Sequence, residues 1–364
     1  MAKRQRPLES MGPDLKFWRG RRVFLTGHTG FKGAWLTVWL LHLGAKVKGY
    51  SLAPPTRPSL FQILQPQVVS VRADIRNRQR LFRELAAFRP EAVFHLAAQP
   101  LVRVSYREPY ETYSVNVMGT VHLLEASLAA SSVKSVVVVT SDKCYRESFE
   151  GKPFDEKDPL GGSDPYSASK ACAEHVVSGY QGVLKTLKRR PPGLATVRAG
   201  NVIGGGDWAR DRLIPDCLRA FENKRPVCLR NVSAVRPWQH VLDPLCGYLT
   251  LAERLWKEAP VYSGAWNFGP DSNGFKPVGE VVRRLSLFWG DGARSKTARG
   301  VHPHESQTLC LSSRKAKLKL GWKPRWNLDD ALKHTVEWHH AFREKQDMKN
   351  MTRSQLSLFE RTLA

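Results

Sequence analysis

The sequence predicts an α/β fold, a doubly wound parallel sheet with helices on both faces and a smaller C-terminal substrate-binding region beside it. Three observations carry this reading. Short β-branched runs, the clearest being Val136-Val137-Val138-Val139, alternate with helical stretches between residues 21 and 200, and strands covered on both faces read as unbroken apolar runs. Strands separated by helices pair in parallel through right-handed crossovers. A glycine-rich turn, Gly27-His28-Thr29-Gly30-Phe31-Lys32-Gly33, stands between the first strand and the first helix. That is the edge at which open parallel sheets bind ligands.

The elements follow in order. Residues 1–20 read as a basic arm without fixed structure, and residues 21–200 hold the sheet. The first strand is Arg22 to Thr26. The helix after the glycine turn, Ala34-Trp35-Leu36 onward, ends at Gly44, a residue suited to a left-handed C-terminal cap. A strand at Lys46–Tyr50 leads into the proline-rich loop PPTRPS, and a short strand is expected at 68–71. A helix over 76–87, a strand over 92–96, a helix over 109–128, the valine strand and a helix from Pro165 complete the unit. Residues 201–340 are richer in glycine and proline, as in GNVIGGGDW and NFGPDSNG. They read as mostly the substrate region, with segments returning to the sheet. A helix is expected over 329–345, and residues 345–364 read as a polar tail.

Composition narrows the function. The chain has 364 residues and is 42% hydrophobic, enough for a sizeable core. No apolar run approaches the length of a membrane span. The basic N-terminus lacks the apolar stretch of a secretory signal. The six cysteines show neither CxxC pairing nor metal-ligand spacing, which points to reduced thiols, a cytoplasmic address and no metal site. The net charge of +24 suggests nucleic acid, but no recognition helix, finger or aromatic stripe accompanies it, so no specific nucleic-acid partner is expected. A basic surface still attracts an anionic small molecule.

The glycines are spaced G-x-x-G-x-x-G between a strand and a helix, the context in which the pattern signals dinucleotide binding. Gly27 serves the tight turn, Gly30 lets backbone approach a pyrophosphate, and Gly33 lets the helix pack on the strand. The helix amides and dipole face the phosphates, so Thr29, Phe31 and Lys32 join the cofactor set. The acidic residue that usually meets the adenosine ribose is missing after Tyr50. Arg57 is available to a 2′-phosphate, so charge alone leaves NAD and NADP open. Asp74, followed by Ile75, is placed to accept from an adenine amino group.

Tyr166 and Lys170 are spaced i, i+4 on one helix face. An ammonium near a phenol favours the phenolate, which makes tyrosine usable as a proton acceptor. The valine strand ends in Thr140-Ser141-Asp142-Lys143, a hydroxyl, a carboxylate and an amine at a ligand-binding sheet edge. A solvated turn would also account for that triplet. Arg210, Arg212 and Arg236 are the guanidinium groups available to a substrate phosphate, and Asn201 is available to the first phosphate or to a sugar.

These motifs resemble the extended short-chain dehydrogenase/reductases: GHTGFKG, His95-Leu96-Ala97-Ala98-Gln99, Asn116 to Thr120 and YSASK match in order, over roughly residues 20 to 340. The longer stretches GHTGFKGAWL, YSLAPPTRPSLF, SDKCY, RAGNVIGGGDW and RPWQHVLDPL are similar to the CDP-glucose 4,6-dehydratases. The resemblance implies a Rossmann-like fold, bound NAD, CDP-glucose as substrate and a homodimer or homotetramer, paired through helices 109–128 and 165–180. It places Leu96, Ala97 and Ala98 at the cofactor and Gln99 at the substrate. It gives Tyr166 the C4 hydroxyl proton, Lys170 the nicotinamide ribose and Ser141 a hydrogen bond to the C4 oxygen. Related dehydratases carry aspartate and glutamate after that hydroxyl. Here the pair is Asp142, giving a proton to the departing C6 hydroxyl, and Lys143, acting near C5. Lys143 as an ion-pair partner of Asp142 is the alternative, with His95 the next base. A nucleotide-sugar 4-epimerase shares the glycine turn and Tyr166/Lys170 but needs no acid–base pair after Ser141. A nucleotide-binding or basic scaffold protein of the same fold is the reading outside catalysis.

Overall fold

The computed structural model describes residues 12–147, 151–186, 191–298 and 307–363. Six strands form in the first two hundred residues: β1 (Arg22–Thr26), β2 (Lys46–Ser51), β3 (Val69–Arg72), β4 (Ala92–His95), β5 (Ser135–Val139) and β6 (Gly193–Ala199). Four small strands follow, β7 (Asn201–Ile203), β8 (Val227–Leu229), β9 (Val235–His240) and then β10 (Gly264–Phe268), with β11 (Phe275–Pro277) and β12 (Ser295–Thr297) last. The main sheet has seven strands in the order β10-β6-β5-β4-β1-β2-β3, all paired in parallel. Strand β10 thus returns from the C-terminal region to one edge. The order reverses at β1, with β2 and β4 on either side, which opens a crevice above the end of β1.

The valine run explains itself in this frame. Val137 faces the core built around Trp35, Trp39 and Leu249, while Val136 and Val138 face Leu123, Leu124 and Val177. Both faces of β5 are dry, which suits its valines, and the single polar side chain, Ser135, stands at its first position. The helix after the glycine turn spans Phe31–His42 and begins earlier than the apolar run suggested. The helices expected at 76–87 and 109–128 run Arg78–Phe88, capped by Asn77, and Pro109–Ala129. The latter is interrupted by a π-helical turn at Ser114–Met118. Two short helices, Leu60–Leu64 and Val102–Arg107, lie in stretches to which the sequence reading assigned no element.

Two expectations at the termini need correction. The arm expected to lack structure over residues 1–20 is ordered from Gly12 onward, and residues 1–11 lie outside the described residues. Asp14 caps a helical turn, Leu15–Trp18. Trp18 is fully buried, and its indole donates to Glu253 Oε1 at 2.6 Å. One aromatic side chain is enough to fix a basic segment. The expected polar tail is a helix, Met348–Arg361, whose Met348, Thr352, Gln355, Leu356 and Phe359 face inward. Its apolar stripe has helical spacing, but Thr and Gln stand in it and lysines and arginines surround it. Phe359 meets Trp39 and Trp326 edge-on, with centroids at 5.7 and 5.3 Å.

Phe359→Ala is therefore expected to cost about 3–5 kcal/mol, as for a buried aromatic whose cavity cannot collapse. Chemical denaturation checks this, and a loss below about 1 kcal/mol would show that the helix is peripheral.

Candidate active site

The carboxyl ends of β5 and β6 open into a cavity of about 560 Å³. Its lining includes Lys32, Ser141, Asp142, Lys143, Tyr166, Asn201, Arg212 and Arg236. The polar triplet is not a solvated turn. Ser141 is extended and caps a single 3₁₀ turn, Asp142–Cys144, its Oγ accepting from Lys143 N at 3.2 Å. The same hydroxyl donates to Asp142 Oδ1 at 2.9 Å and shares a hydrogen bond with the Tyr166 side chain. Pro165 is the first residue of the helix Pro165–Thr186, so Tyr166 and Lys170 sit in its opening turns. Both are buried.

Burial dominates the electrostatics. It pushes the Tyr166 phenol up to about 12, with the Asp142 carboxylate adding to the rise and the Ser141 hydrogen bond and Arg212 opposing it. It brings the Lys170 amine down to about 8, against the pull of Cys144 and Glu174. It raises the Asp142 carboxyl above its ordinary value, although Lys143, the Ser141 hydrogen bond, Arg236 and Lys32 all favour the anion. Asp142 is 4% exposed, and its Oδ2 has no hydrogen-bond partner among the described residues. A buried carboxyl with one oxygen held and the other without a partner holds a proton more readily than an exposed aspartate does. Among the described residues no ion pair joins Lys143 to Asp142 within 4.0 Å, and Lys143 lines the cleft.

The glycine turn fits a dinucleotide. Gly27 has φ +75°, and a Cβ there would lie 2.6 Å from Ala97 N. A Cβ on Gly33 would lie 2.1 Å from Gly27 O. A Cβ on Gly30 would meet only Gly27 O, at 3.4 Å, so that residue's open side is a cradle that a side chain would fill. No side chain caps the following helix, which leaves its first amides to a phosphate. Thr29 is tied to the end of β2 by Ser51 Oγ at 2.8 Å and Leu52 O at 3.1 Å. Phe31 packs beside Gly204. Leu96, Ala97 and Ala98 follow β4, with Ala97 N donating to Thr26 Oγ1 at 3.2 Å. Ile75 is buried against Gly119. Asp74 is gripped by Arg76, whose hydrogen bonds lower its carboxyl, so an adenine contact would share an occupied carboxylate.

The remaining expected residues divide. Asn201, Arg212 and the buried Arg236 reach the cleft, and Arg212 also donates to Asp207 at 3.0 Å. Arg210 is exposed and does not line it. The Gln99 side chain is spent on Thr112 and on the amide of Leu101, at 2.9 and 2.6 Å, away from the cleft. His95 is no reserve base: its Nδ1 bonds Thr26 at 2.7 Å, its Nε2 bonds Thr120 at 3.2 Å, and burial lowers it to about 3. Two features lay outside the sequence reading. The Lys32 side chain reaches the cleft, its amine brought down to about 8 by burial and by the cations of Arg212 and Lys170. Glu174 and Arg198 form a buried pair behind Lys170.

A glycine cradle at the switch point, a Tyr–Lys helix face and a hydroxyl-bearing turn at the end of β5 define an extended short-chain dehydrogenase/reductase. Residues 24–259 match the GDP-mannose 4,6 dehydratase family, and the chain belongs to that family. It is 51% identical over 351 residues to CDP-glucose 4,6-dehydratase of Salmonella typhimurium, spanning 94% of this chain and 97% of that protein. It is 28% identical over 340 residues to UDP-glucose 4-epimerase of Halalkalibacterium halodurans, covering 87% and 95% of the two chains. Among solved structures, the UDP-glucose 4-epimerase of Thermus thermophilus in complex with NAD superimposes with a TM-score of 0.75 at 26% identity, covering 87% of this chain and 98% of that one.

The raised Asp142 carboxyl has a consequence for stability. A carboxyl whose folded value lies above its unfolded one favours the fold at low pH, and that contribution is lost as pH rises through the folded value. Asp142→Asn should therefore raise the thermal midpoint at neutral pH and give no comparable gain below the ordinary aspartate value of 3.8. Thermal unfolding at both pH values checks this; a destabilised variant at neutral pH would contradict it.

Proposed function

We propose that the chain is a CDP-glucose 4,6-dehydratase, converting CDP-D-glucose into CDP-4-dehydro-6-deoxy-D-glucose and water. The observation that carries this reading is the buried, half-satisfied Asp142 in the same cleft as Ser141 and Tyr166. An epimerase needs the last two and not the first. The close relationship to a protein named for this activity supports the choice of nucleotide.

Bound NAD supplies a hydride acceptor at C4 and a donor at C6. The glycine turn from Gly27 to Gly33 and the residues Asp74, Ile75, Leu96, Ala97 and Ala98 would hold it, and Lys170 would bond the nicotinamide ribose. Tyr166 takes the C4 hydroxyl proton, and Ser141 Oγ steadies the same oxygen. The Tyr166 phenol is high because it is buried, so it becomes a base only where positive charge faces it; Arg212 acts in that direction, and Lys170 Nζ lies 6.0 Å from its ring centroid. With C4 a ketone, the C5 proton becomes acidic. Lys143 removes it, and Asp142 protonates the C6 hydroxyl as it leaves. Arg212, Arg236 and Asn201 hold the diphosphate end.

The chain is further proposed to act as at least a homodimer. Tyr106, Tyr110, Tyr113, Met118 and Val183 lie exposed on the helices between Val102 and Ala129 and on the helix Pro165–Thr186, an apolar surface of the kind that subunits cover. Its six cysteines are free thiols, and no helix among the described residues is long and apolar enough to cross a membrane. The free thiols support a place in the reducing cytoplasm.

Incubation with CDP-, dTDP-, UDP- and GDP-glucose, followed by mass spectrometry, tests the reading. CDP-glucose should lose one water; loss from another sugar nucleotide alone would move the substrate, and isomerisation without mass change would return the epimerase. Tyr166→Phe should abolish reduction of the cofactor while leaving its binding intact, and wild-type turnover in that variant would remove Tyr166 as the base. Lys143→Met should suppress solvent deuterium exchange at C5 and lower product formation by roughly 10²–10⁴-fold. Normal exchange would make Lys143 an electrostatic or structural residue.

A further inference from the structure

The two halves of the site arrive on different elements. Tyr166 and Lys170 come on one helix, while Ser141, Asp142 and Lys143 come on a turn after β5. A single buried network joins them. Glu174 continues the helix face, eight residues after Tyr166 and four after Lys170, and is 4% exposed. Its carboxylate accepts from the hydroxyl of Thr140, the residue before Ser141. It also accepts from Thr196 Oγ1 at 2.7 Å and from Arg198 Nε and Nη2 at 2.9 and 2.7 Å, both on β6. The far side of Arg198 donates through Nη1 to Tyr145 Oη at 2.7 Å. Tyr145 closes the Asp142–Cys144 turn and donates in turn to Asn267 Oδ1 on β10 at 2.7 Å. The catalytic helix and both ends of the elimination turn are thus tied to one carboxylate–guanidinium pair.

A buried ion pair contributes little net stability, because desolvation offsets its attraction, and an apolar pair of similar volume often replaces it without loss. Four donors on the Glu174 carboxylate fix direction as well as charge. We propose that Glu174 and Arg198 are positioning residues, which set the register of Tyr166 and Lys170 against the Ser141–Lys143 turn so that oxidation and elimination act on one bound sugar. This rests on the dehydratase reading above.

The test separates register from folding. Glu174→Leu combined with Arg198→Met removes both charges together and is expected to fold and to bind NAD at the wild-type stoichiometry. Its kcat for CDP-glucose dehydration should fall roughly 10–100-fold, as for a misplacement of about 1 Å, with KM little changed. The fraction of bound cofactor found reduced at steady state should also shift, because oxidation and elimination lose alignment unequally. A role confined to folding would lower stoichiometry and kcat together and leave that fraction unchanged, which would overturn the proposal, as would a folded double variant with wild-type kcat. Should the double variant not fold, Glu174→Asp keeps the charge and withdraws the carboxylate by one methylene. The same fall in kcat at full cofactor stoichiometry supports the proposal, and wild-type kcat overturns it. Absence of dehydration by the wild-type chain would instead strike the dehydratase reading itself.

Discussion

The site depends on keeping one carboxyl, Asp142, out of water with only half of its hydrogen bonds made. Burial raises its proton affinity, and four nearby groups work in the opposite direction, Lys143 and Ser141 foremost. The net effect is an upward shift, in a carboxyl whose Oδ1 is held by Ser141 and whose Oδ2 has no partner among the described residues. Such an arrangement is unfavourable for folding and useful for giving a proton to a leaving hydroxyl.

The fold makes that burial possible. Strands β5 and β6 are covered on both faces, so the turn after β5 emerges from a dry core rather than a wet edge. The helix carrying Tyr166 and Lys170 packs behind the turn, and Glu174, one turn further on, is bonded to the residue where the strand ends. Sequence order keeps these parts separate. The sheet edge brings them together, and the C-terminal region adds Arg212 and Arg236 from the other side of the cleft.

Much of this was legible because local chemistry fixes it. Gly27 and Gly33 can be nothing else where backbone atoms approach so closely, and a run of four valines suits a strand buried on both faces. The i, i+4 spacing of Tyr166 and Lys170 needs only a helix. What sequence did not reveal depends on partners distant along the chain. Trp18 is anchored by Glu253, and Phe359 by Trp39 and Trp326, so both termini looked like solvent-exposed tails. Arg210 and Arg212 are two residues apart and chemically equal. Between them Asp211 is left-handed at φ +61°, and only Arg212 reaches the cleft. Gln99 sits beside a cofactor strand, yet Thr112 and the Leu101 amide claim it. Family resemblance supplied the roles of Asp142 and Lys143; the geometry shows why the first can hold a proton.

The most direct test of this account is a single-turnover measurement on Asp142→Asn with CDP-glucose. The substitution keeps size and polarity and removes the transferable proton. Absorbance of the reduced cofactor should rise and persist, while dehydrated product falls by roughly 10²–10⁴-fold. A variant that releases water at the wild-type rate would contradict the assignment of Asp142 as the acid around which the site is built.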